Sequence, residues 1–356
     1  MSNRIGLTII IPMFAAENRI SHALSSILEQ GREDIEIICV DDVSPDNQVA
    51  VVEKLQETHP VIRLIRNDRN MGPGGSTNAG IDAARGDYIV IVHADDTLLP
   101  GALDTLGEVV TDNKPDLVLV GCDEMRRGTI RALTDPTLTA ELAAHPGPLS
   151  ADVDPRVLLW PPSPWSKVYQ REFLNRHALR FPEGVFEDIP WSIHTTLHAR
   201  TIAVAPGPLY RYVTADSDSS ITTTLTSRNL DRLDQIRLVR EGVDVSGLDP
   251  AVLHYVSALV AIHLIWANRS AYKTLPPETH QQFFYDCADE IQWWHDTAPV
   301  SATLDTEPLM SASDRSTFSQ ALLTGDWAHW QATLDREKKA RRVRRLTRRK
   351  KLFSRK

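Results

Sequence analysis

The sequence predicts a doubly wound, mostly parallel α/β sheet followed by a mainly helical C-terminal region. Short β-branched runs recur at residues 7–11, 35–40, 61–65, 88–92 and 117–120. Stretches of helical length separate them, and from Ser227 onward helical spacing dominates. Continuous apolar runs suit strands covered on both faces, as in a parallel sheet. Regular strand–helix alternation then implies right-handed crossovers.

Each element follows in order. Residues 17–30 place Ile20, Ala23, Leu24, Ile27 and Leu28 on one helical face. Residues 45–59, 74–85 and 100–113 are the next helices. The pattern breaks after Cys122, and 123–163, with several Pro and Gly, reads as an irregular excursion. Helices are expected at 171–177 and 189–199, a strand at 201–205, and a polar loop at 214–224. The remainder reads as helices at 230–241, 251–273 and 278–295, with a last one from about Asp326 into the tail. The resulting division is a sheet domain at 1–225, a helical region at 226–335 and a basic tail at 336–356. No internal repeat is visible.

Composition narrows the class. A 42% hydrophobic share is ordinary for a chain that buries a core. Cys39, Cys122 and Cys287 show no paired spacing and read as buried reduced thiols in a reducing compartment. The first apolar run, Leu7 to Met13, is too short for a secretory signal. The apolar stretch at 251–267 carries His254, His263 and Ser257 and falls short of the ~20 residues needed to cross a bilayer. The net charge of −8 conceals an asymmetry. The tail 336–356 has 13 Lys or Arg against Glu337 alone, while the rest has 26 basic and 46 acidic residues.

In an open α/β sheet, ligands bind where strands end at their C-terminal edge. The first run ends in Pro12, Met13 and Phe14, with Glu17 close behind. The second ends in Asp41, Asp42, Val43 and Ser44. Asn70 to Gly80, NMGPGGSTNAG, follows the third, and His93, Ala94, Asp95 and Asp96 follow the fourth. Asp41–Asp42 also suits a turn whose Ser44 or Asp46 caps the next helix. The glycine-rich run has neither the Walker pattern nor the spaced dinucleotide fingerprint. Three potential ligands in four residues would crowd negative charge without a cation, although Asp96 also suits a helix cap.

Together these pieces resemble the family 2 glycosyltransferases with the GT-A fold. TIIIPMFAAENRISHALSSILEQ is similar to that family's opening strand and helix, DDVS to its second-strand motif, and GPGGSTNAGIDAARGDYIVIVHADD to the block ending in its metal motif. The resemblance runs from Leu7 to about Leu99 and resumes in PWSKVYQREFL, FPEGVFEDIPW and PLYRYV. It implies that Pro12, Phe14, Glu17 and Asp42 line the base and ribose pocket, with Phe14 stacking and Asp42 accepting from the base. Asn70, Gly72 and Asn78 would lie near the sugar diphosphate. Asp95, with His93 or Asp96, would hold Mn²⁺ or Mg²⁺. Glu187 and Asp188 match the acidic pair on the acceptor side, where the second carboxylate is the usual base. Trp165, Lys167 and Arg211 fall in segments beside the acceptor, Lys167 within reach of Glu187 or a donor phosphate. Glu187–Asp188 also suits the start of a helix, since Pro190 fits a first turn.

The implied reaction is transfer of a sugar from a nucleotide diphosphate donor, with uridine the family-weighted base, to an acceptor hydroxyl. One base and direct displacement imply inversion. The implied acceptor is a cell-surface polysaccharide, a teichoic-type polymer or a lipid-linked glycan precursor. Two positions depart from the family pattern. His93 stands where Asp is usual, which favours Mn²⁺ over Mg²⁺. Thr77 stands where Arg is usual, removing a positive charge unless Arg85, Lys167 or Arg211 supplies it.

In the tail, Val343, Leu346 and Phe353 form a thin apolar stripe among the positives. This suits peripheral attachment to anionic lipid at the cytoplasmic leaflet; a solvated tail is the competing reading, and no nucleic-acid-reading motif is present. Residues 227–335 suit either a dimer face of a homo-oligomer or an acceptor platform. A nucleotidyltransferase would need a basic glycine-rich loop after the first strand, which 12–17 lacks. A non-catalytic sugar-nucleotide-binding subunit of a membrane assembly is the other reading left open.

Overall fold

The computed structural model describes residues 6–214, 230–297, 312–336 and 338–339. Two compact units emerge: Met1–Thr224 with Glu241–Val243, and Leu225–Arg240 with Asp244–Lys356.

The first unit is built on a mixed, mostly parallel nine-stranded sheet. Its elements are β1 Leu7–Met13, α1 Ile20–Leu28, β2 Ile35–Asp41, α2 Gln48–Gln56, β3 Ile62–Arg66, α3 Gly72–Ala83, β4 Tyr88–Ile91, β5 Thr97–Leu98, α4 Ala102–Asn113, β6 Leu117–Arg126, β7 Thr129–Ala132, α5 Pro136–Ala143, β8 Lys167–Gln170, α6 Arg171–Arg176, α7 Asp188–His198 and β9 Ile202–Thr214. The strand order is β3-β2-β1-β4-β8-β6-β9-β5, with β7 on β6. β1 pairs in parallel with β2 and β4, and β2 with β3. Every residue of β1 and β2 is buried, as strands covered on both faces require. Ile9, Ile11, Leu24, Ile27, Cys39, Val90 and Val118 belong to one core cluster.

The glycines of α3 serve close packing. A Cβ on Gly80 would lie 2.4 Å from Ile10 Cγ2, so the helix can rest on β1 only with glycine there.

Residues 123–163 depart from the expected irregular excursion. β6 runs on to Arg126, turns into β7, and α5 follows, capped by Asp135 accepting from Thr137 N–H and Leu138 N–H. The extension is held by β9, far longer than the strand expected at 201–205, which pairs with β6 in parallel as far as Thr214. The register shifts at Gly121, where a Cβ would lie 2.5 Å from the Gly207 carbonyl oxygen. β8 also escaped the pattern. This four-residue strand is inserted antiparallel between β4 and β6.

The second unit holds α8 Asp231–Gly242, up to its Arg240, with α9 Pro250–Thr274, α10 Pro277–Thr297 and α11 Ala312–Leu323, and a helical stretch at 327–336. Asp249 caps α9 by accepting from Ala251 N–H. Phe284, Trp294, Phe318 and Trp330 are fully buried in this unit. Among the described residues α9 alone is long and apolar enough to span a membrane, and 67% of its most apolar stretch is buried. The three cysteines are free and buried. Residues 340–356, most of the basic tail, and 215–224 of the expected polar loop lie outside the described residues.

Candidate active site

The C-terminal edge of β1, β2 and β4 gathers the acidic residues. After β4 the chain enters His93–Asp96 and then the two-residue β5, which pairs with β9 so that Leu98 faces Tyr210. Asp96 is fully buried; its Oδ2 accepts from the Tyr210 hydroxyl at 2.6 Å and its Oδ1 from Val213 N–H at 2.8 Å. The same hydroxyl accepts from His93 N–H at 3.2 Å, so β9 straps the turn in place. Asp96 therefore caps no helix: α4 starts six residues later, after Gly101 at φ 79°.

Burial, and secondarily the charge of Asp95, pushes the Asp96 carboxyl up to about 8. Burial lowers the His93 imidazole, with Asp95 opposing. Asp95 itself stays partly exposed, and its Oδ2 accepts from Arg19 Nη1 at 3.0 Å. One donor atom each from His93, Asp95 and Asp96 lies within 4.8 Å of the others. An imidazole with two carboxylates is a donor set that suits Mn²⁺ and, less well, Mg²⁺.

The loops after β1 and β2 are laced together. Ala15 N–H donates to Ser44 Oγ, Ala16 N–H to Gln48 Oε1, and Glu17 N–H to Asp46 Oδ2. Glu17 Oε2 accepts from Asn47 N–H in return. Pro12 is buried within β1, whereas Phe14 is 51% exposed and Val43 49%. Phe14 thus presents an open ring at the strand edge, as a stacking role requires.

The α3 corner departs from expectation. Asp42 Oδ1 accepts from Met71 N–H and Asn67 Nδ2, and Oδ2 from Gly72 N–H, all at 2.8 Å. The carboxylate clasps the start of α3, not the nearer α2, and only part of its accepting capacity is left for a base. Asn70 Nδ2 donates to the Asp42 carbonyl. Asn78 spends both ends of its amide on Phe181, accepting from the N–H at 2.9 Å and donating to the carbonyl at 2.8 Å. Gly72 N–H and the Asn78 amide are thus bound to protein groups. The N-terminus of α3 is already satisfied by carboxylates.

Glu187 completes that corner. Its Oε1 accepts from Gly74 N–H at 3.1 Å, so it caps α3 and makes no side-chain cap on α7. A Cβ on Gly74 would lie 2.7 Å from Glu187 Cγ. Burial, then the charge of Asp188, pushes the Glu187 carboxyl up to about 7. Asp188 opens α7 and is partly exposed, with Pro190 in the helix's first turn.

Of the three residues expected on the acceptor side, only the pairing of Lys167 with Glu187 needs correction. Lys167 is buried and donates to the Pro161 carbonyl at 2.6 Å rather than to Glu187, with burial pushing it down to about 7. Trp165 is buried and stacks on Tyr210 at 4.7 Å and Tyr212 at 5.7 Å. Arg211 is engaged by both oxygens of Asp123, each at 2.8 Å. Arg85 precedes β4 and so lies at the other end of the strand, its N–H donating to Glu36. The Lys167 and Arg211 side chains are thus held by protein groups, and Arg85 starts from the far end of β4.

Arg19 and Tyr210 were missed. Arg19 carried one signal: a cation at the N-cap of α1 opposes the helix dipole unless an anion sits nearby. Tyr210 gave none beyond its place in PLYRYV.

Residues 8–134 match the family model for Glycosyl transferase family 2. That segment, β1 to just past β7, is a family 2 glycosyltransferase domain by this match. The glycosyltransferase YibD of Escherichia coli (strain K12), itself uncharacterized, is 25% identical over 291 residues, 80% of this chain and 78% of that one. The poly(ribitol-phosphate) beta-glucosyltransferase of Bacillus spizizenii is 27% identical over 214 residues, 58% of this chain and 32% of that enzyme. Apart from YibD, the first relatives are spanned over less than two thirds of their own length. The crystal structure of S. aureus TarS 1-349 in complex with UDP superposes with a TM-score of 0.71 at 17% identity, covering 94% of this chain and 92% of that one. That likeness establishes a GT-A-like fold.

Proposed function

We propose that this glycosyltransferase moves a sugar, with inversion, from a UDP-linked donor to a hydroxyl of a teichoic-type polymer, another cell-surface polysaccharide or a lipid-linked precursor. One observation carries the reading. The same edge of one sheet presents the His93–Asp95–Asp96 donor set after β4 and, across the start of α3, the Glu187–Asp188 pair. UDP is the nucleotide in the TarS complex, and a poly(ribitol phosphate) chain is the acceptor named for the Bacillus relative.

In this reading Phe14 stacks on the base beside Glu17. His93 and Asp95 are the cation ligands, with Asp96 fixed behind them by Tyr210. A divalent cation held there would neutralise charge on the departing diphosphate. Asp188 takes the proton of the acceptor hydroxyl, a contribution of ~10²–10⁴-fold for a positioned carboxylate. Glu187, anchored on Gly74, fixes where α7 begins and so where Asp188 sits. Because His93 replaces an oxygen ligand, Mn²⁺ is the expected preference over Mg²⁺.

In this reading the 13 Lys or Arg of residues 336–356 attach the enzyme to anionic lipid at the inner face of the plasma membrane, beside lipid-linked acceptors. Equal co-sedimentation with anionic vesicles by the full chain and one ending at residue 335 would remove that part. The catalytic reading is tested by UDP release from UDP-glucose and UDP-GlcNAc, with Mn²⁺, Mg²⁺ or EDTA, with and without poly(ribitol phosphate). Metal-dependent release stimulated by the polymer supports it. UDP-sugar binding without release under any condition means a non-catalytic subunit.

A further inference from the structure

The Arg19 guanidinium bridges two loops. Nη1 donates to Asp95 Oδ2 at 3.0 Å and Nη2 to the Ala15 carbonyl at 3.3 Å. The residue opens α1, at the end of the chain segment that leaves β1, and reaches across to the turn after β4. Both partners of the ion pair are open to solvent, with side chains 46% and 40% exposed. Asp95 is also the most accessible carboxylate of the candidate cation site, since both oxygens of Asp96 already accept hydrogen bonds.

A cation drawn to His93 and Asp95 must therefore compete with Arg19 for the same oxygen. Losing Asp95 costs the guanidinium little, because an exposed ion pair is weak. It then stands beside the cation site with its planar fork of donors free, the geometry that matches phosphate oxygens. The usual cation of the α3 segment is absent, as Thr77 occupies its place. The Lys167 and Arg211 side chains are engaged elsewhere, and Arg85 precedes β4, at the opposite end of that strand. Arg69, also near this edge, stands 3.8 Å from Glu183.

We propose that Arg19 is a phosphate-binding residue held in reserve: it neutralises Asp95 before the cation arrives, and is displaced by the cation onto the diphosphate of the donor. This rests on the reading of His93–Asp96 as the cation site. It supplies from α1 the positive charge that family members carry on α3.

The test reads binding rather than turnover. Mn²⁺ alone is titrated by electron paramagnetic resonance into the wild-type chain, Arg19→Gln, Arg19→Lys and Asp95→Asn. UDP is then titrated calorimetrically at saturating Mn²⁺. Removing an exposed competitor is expected to tighten Mn²⁺ binding by Arg19→Gln about two- to fivefold. The same variant should bind UDP about tenfold more weakly, the scale of a lost charge-assisted contact. Arg19→Lys, which keeps the charge without the fork, should fall between for UDP. If Mn²⁺ binding depends on Asp95 yet Arg19→Gln changes neither affinity, Arg19 is a surface ion pair and the proposal fails alone. Tighter Mn²⁺ with unchanged UDP also overturns it, since the released guanidinium then meets no phosphate. If the wild-type chain takes up no Mn²⁺, or Asp95→Asn takes it up equally well, the cation-site reading fails and this inference with it.

Discussion

Two corners of the same sheet edge use their polar side chains in opposite ways. At the α3 corner, Asp42, Asn78 and Glu187 are spent on backbone groups of Met71, Gly72, Phe181 and Gly74. At the β4–β5 corner, backbone and hydroxyl donors hold only Asp96, while Asp95 stays partly exposed against a mobile-stemmed arginine. The first corner is a scaffold whose carboxylates substitute for missing helix-capping partners. The second keeps one carboxylate exchangeable, which a metal ligand has to be. The resemblance drew both corners as ligand-binding; the hydrogen bonds separate them.

The largest expected effect is on chemistry. Asp188→Asn should cut sugar transfer by ~10²–10⁴-fold while leaving UDP affinity unchanged. Near-full transfer by this variant, measured as UDP release with acceptor present, would move the base elsewhere. Next is the exchangeable corner itself. Asp95→Ala should weaken Mn²⁺-promoted UDP binding by about 10- to 100-fold, with little change in melting temperature.

The scaffold corner should respond in the reverse sense. Asp42→Ala strands the donors at the start of α3 and should destabilise the fold by about 2–4 kcal/mol, read as a lowered urea midpoint. A loss of UDP binding in a variant that keeps its midpoint would make Asp42 a ligand residue after all.

The smallest effect is pH-dependent. The Glu187 carboxyl lies above its ordinary value, so the folded state retains its proton longer than the unfolded state. Little cost exists at pH 4, where both states are mostly protonated; the cost grows as pH rises past the ordinary carboxylate range and levels off above about 7. Glu187→Gln should therefore raise stability at pH 8 by on the order of 1–3 kcal/mol, seen as a higher melting temperature, and leave it almost unchanged at pH 4. A gain of equal size at both pH values would point to altered packing against Gly74.

Much of the sheet was legible because its signal is local. β1, β2 and β4 are mostly apolar runs, broken only by Thr8 in β1 and by Glu36 and the closing Asp41 in β2, and α1 shows its buried face in Ile20, Ala23, Leu24 and Ile27. β8 was not, being four residues long and set by pairing across long separations, as in Tyr88 with Gln170; β7, a local hairpin arm on β6, is four exposed residues with no apolar run. The His93–Asp96 cluster was readable as consecutive ligands after a strand. Its dependence on Tyr210, 114 residues from Asp96, was not. The partners of Lys167 and Arg211 were illegible for a related reason. A charged residue's partner is a tertiary fact, and Pro161 and Asp123 could not be chosen from the chain alone.

The central claim is that the exchangeable corner is where the cation sits when donor binds. Crystals soaked with Mn²⁺ and UDP, measured at the manganese absorption edge, test it most directly. The account predicts an anomalous peak touching His93 and Asp95, bridged to the UDP phosphates, with Arg19 turned away from Asp95. UDP bound with no such peak, or with manganese at the α3 corner beside Glu187, would contradict it.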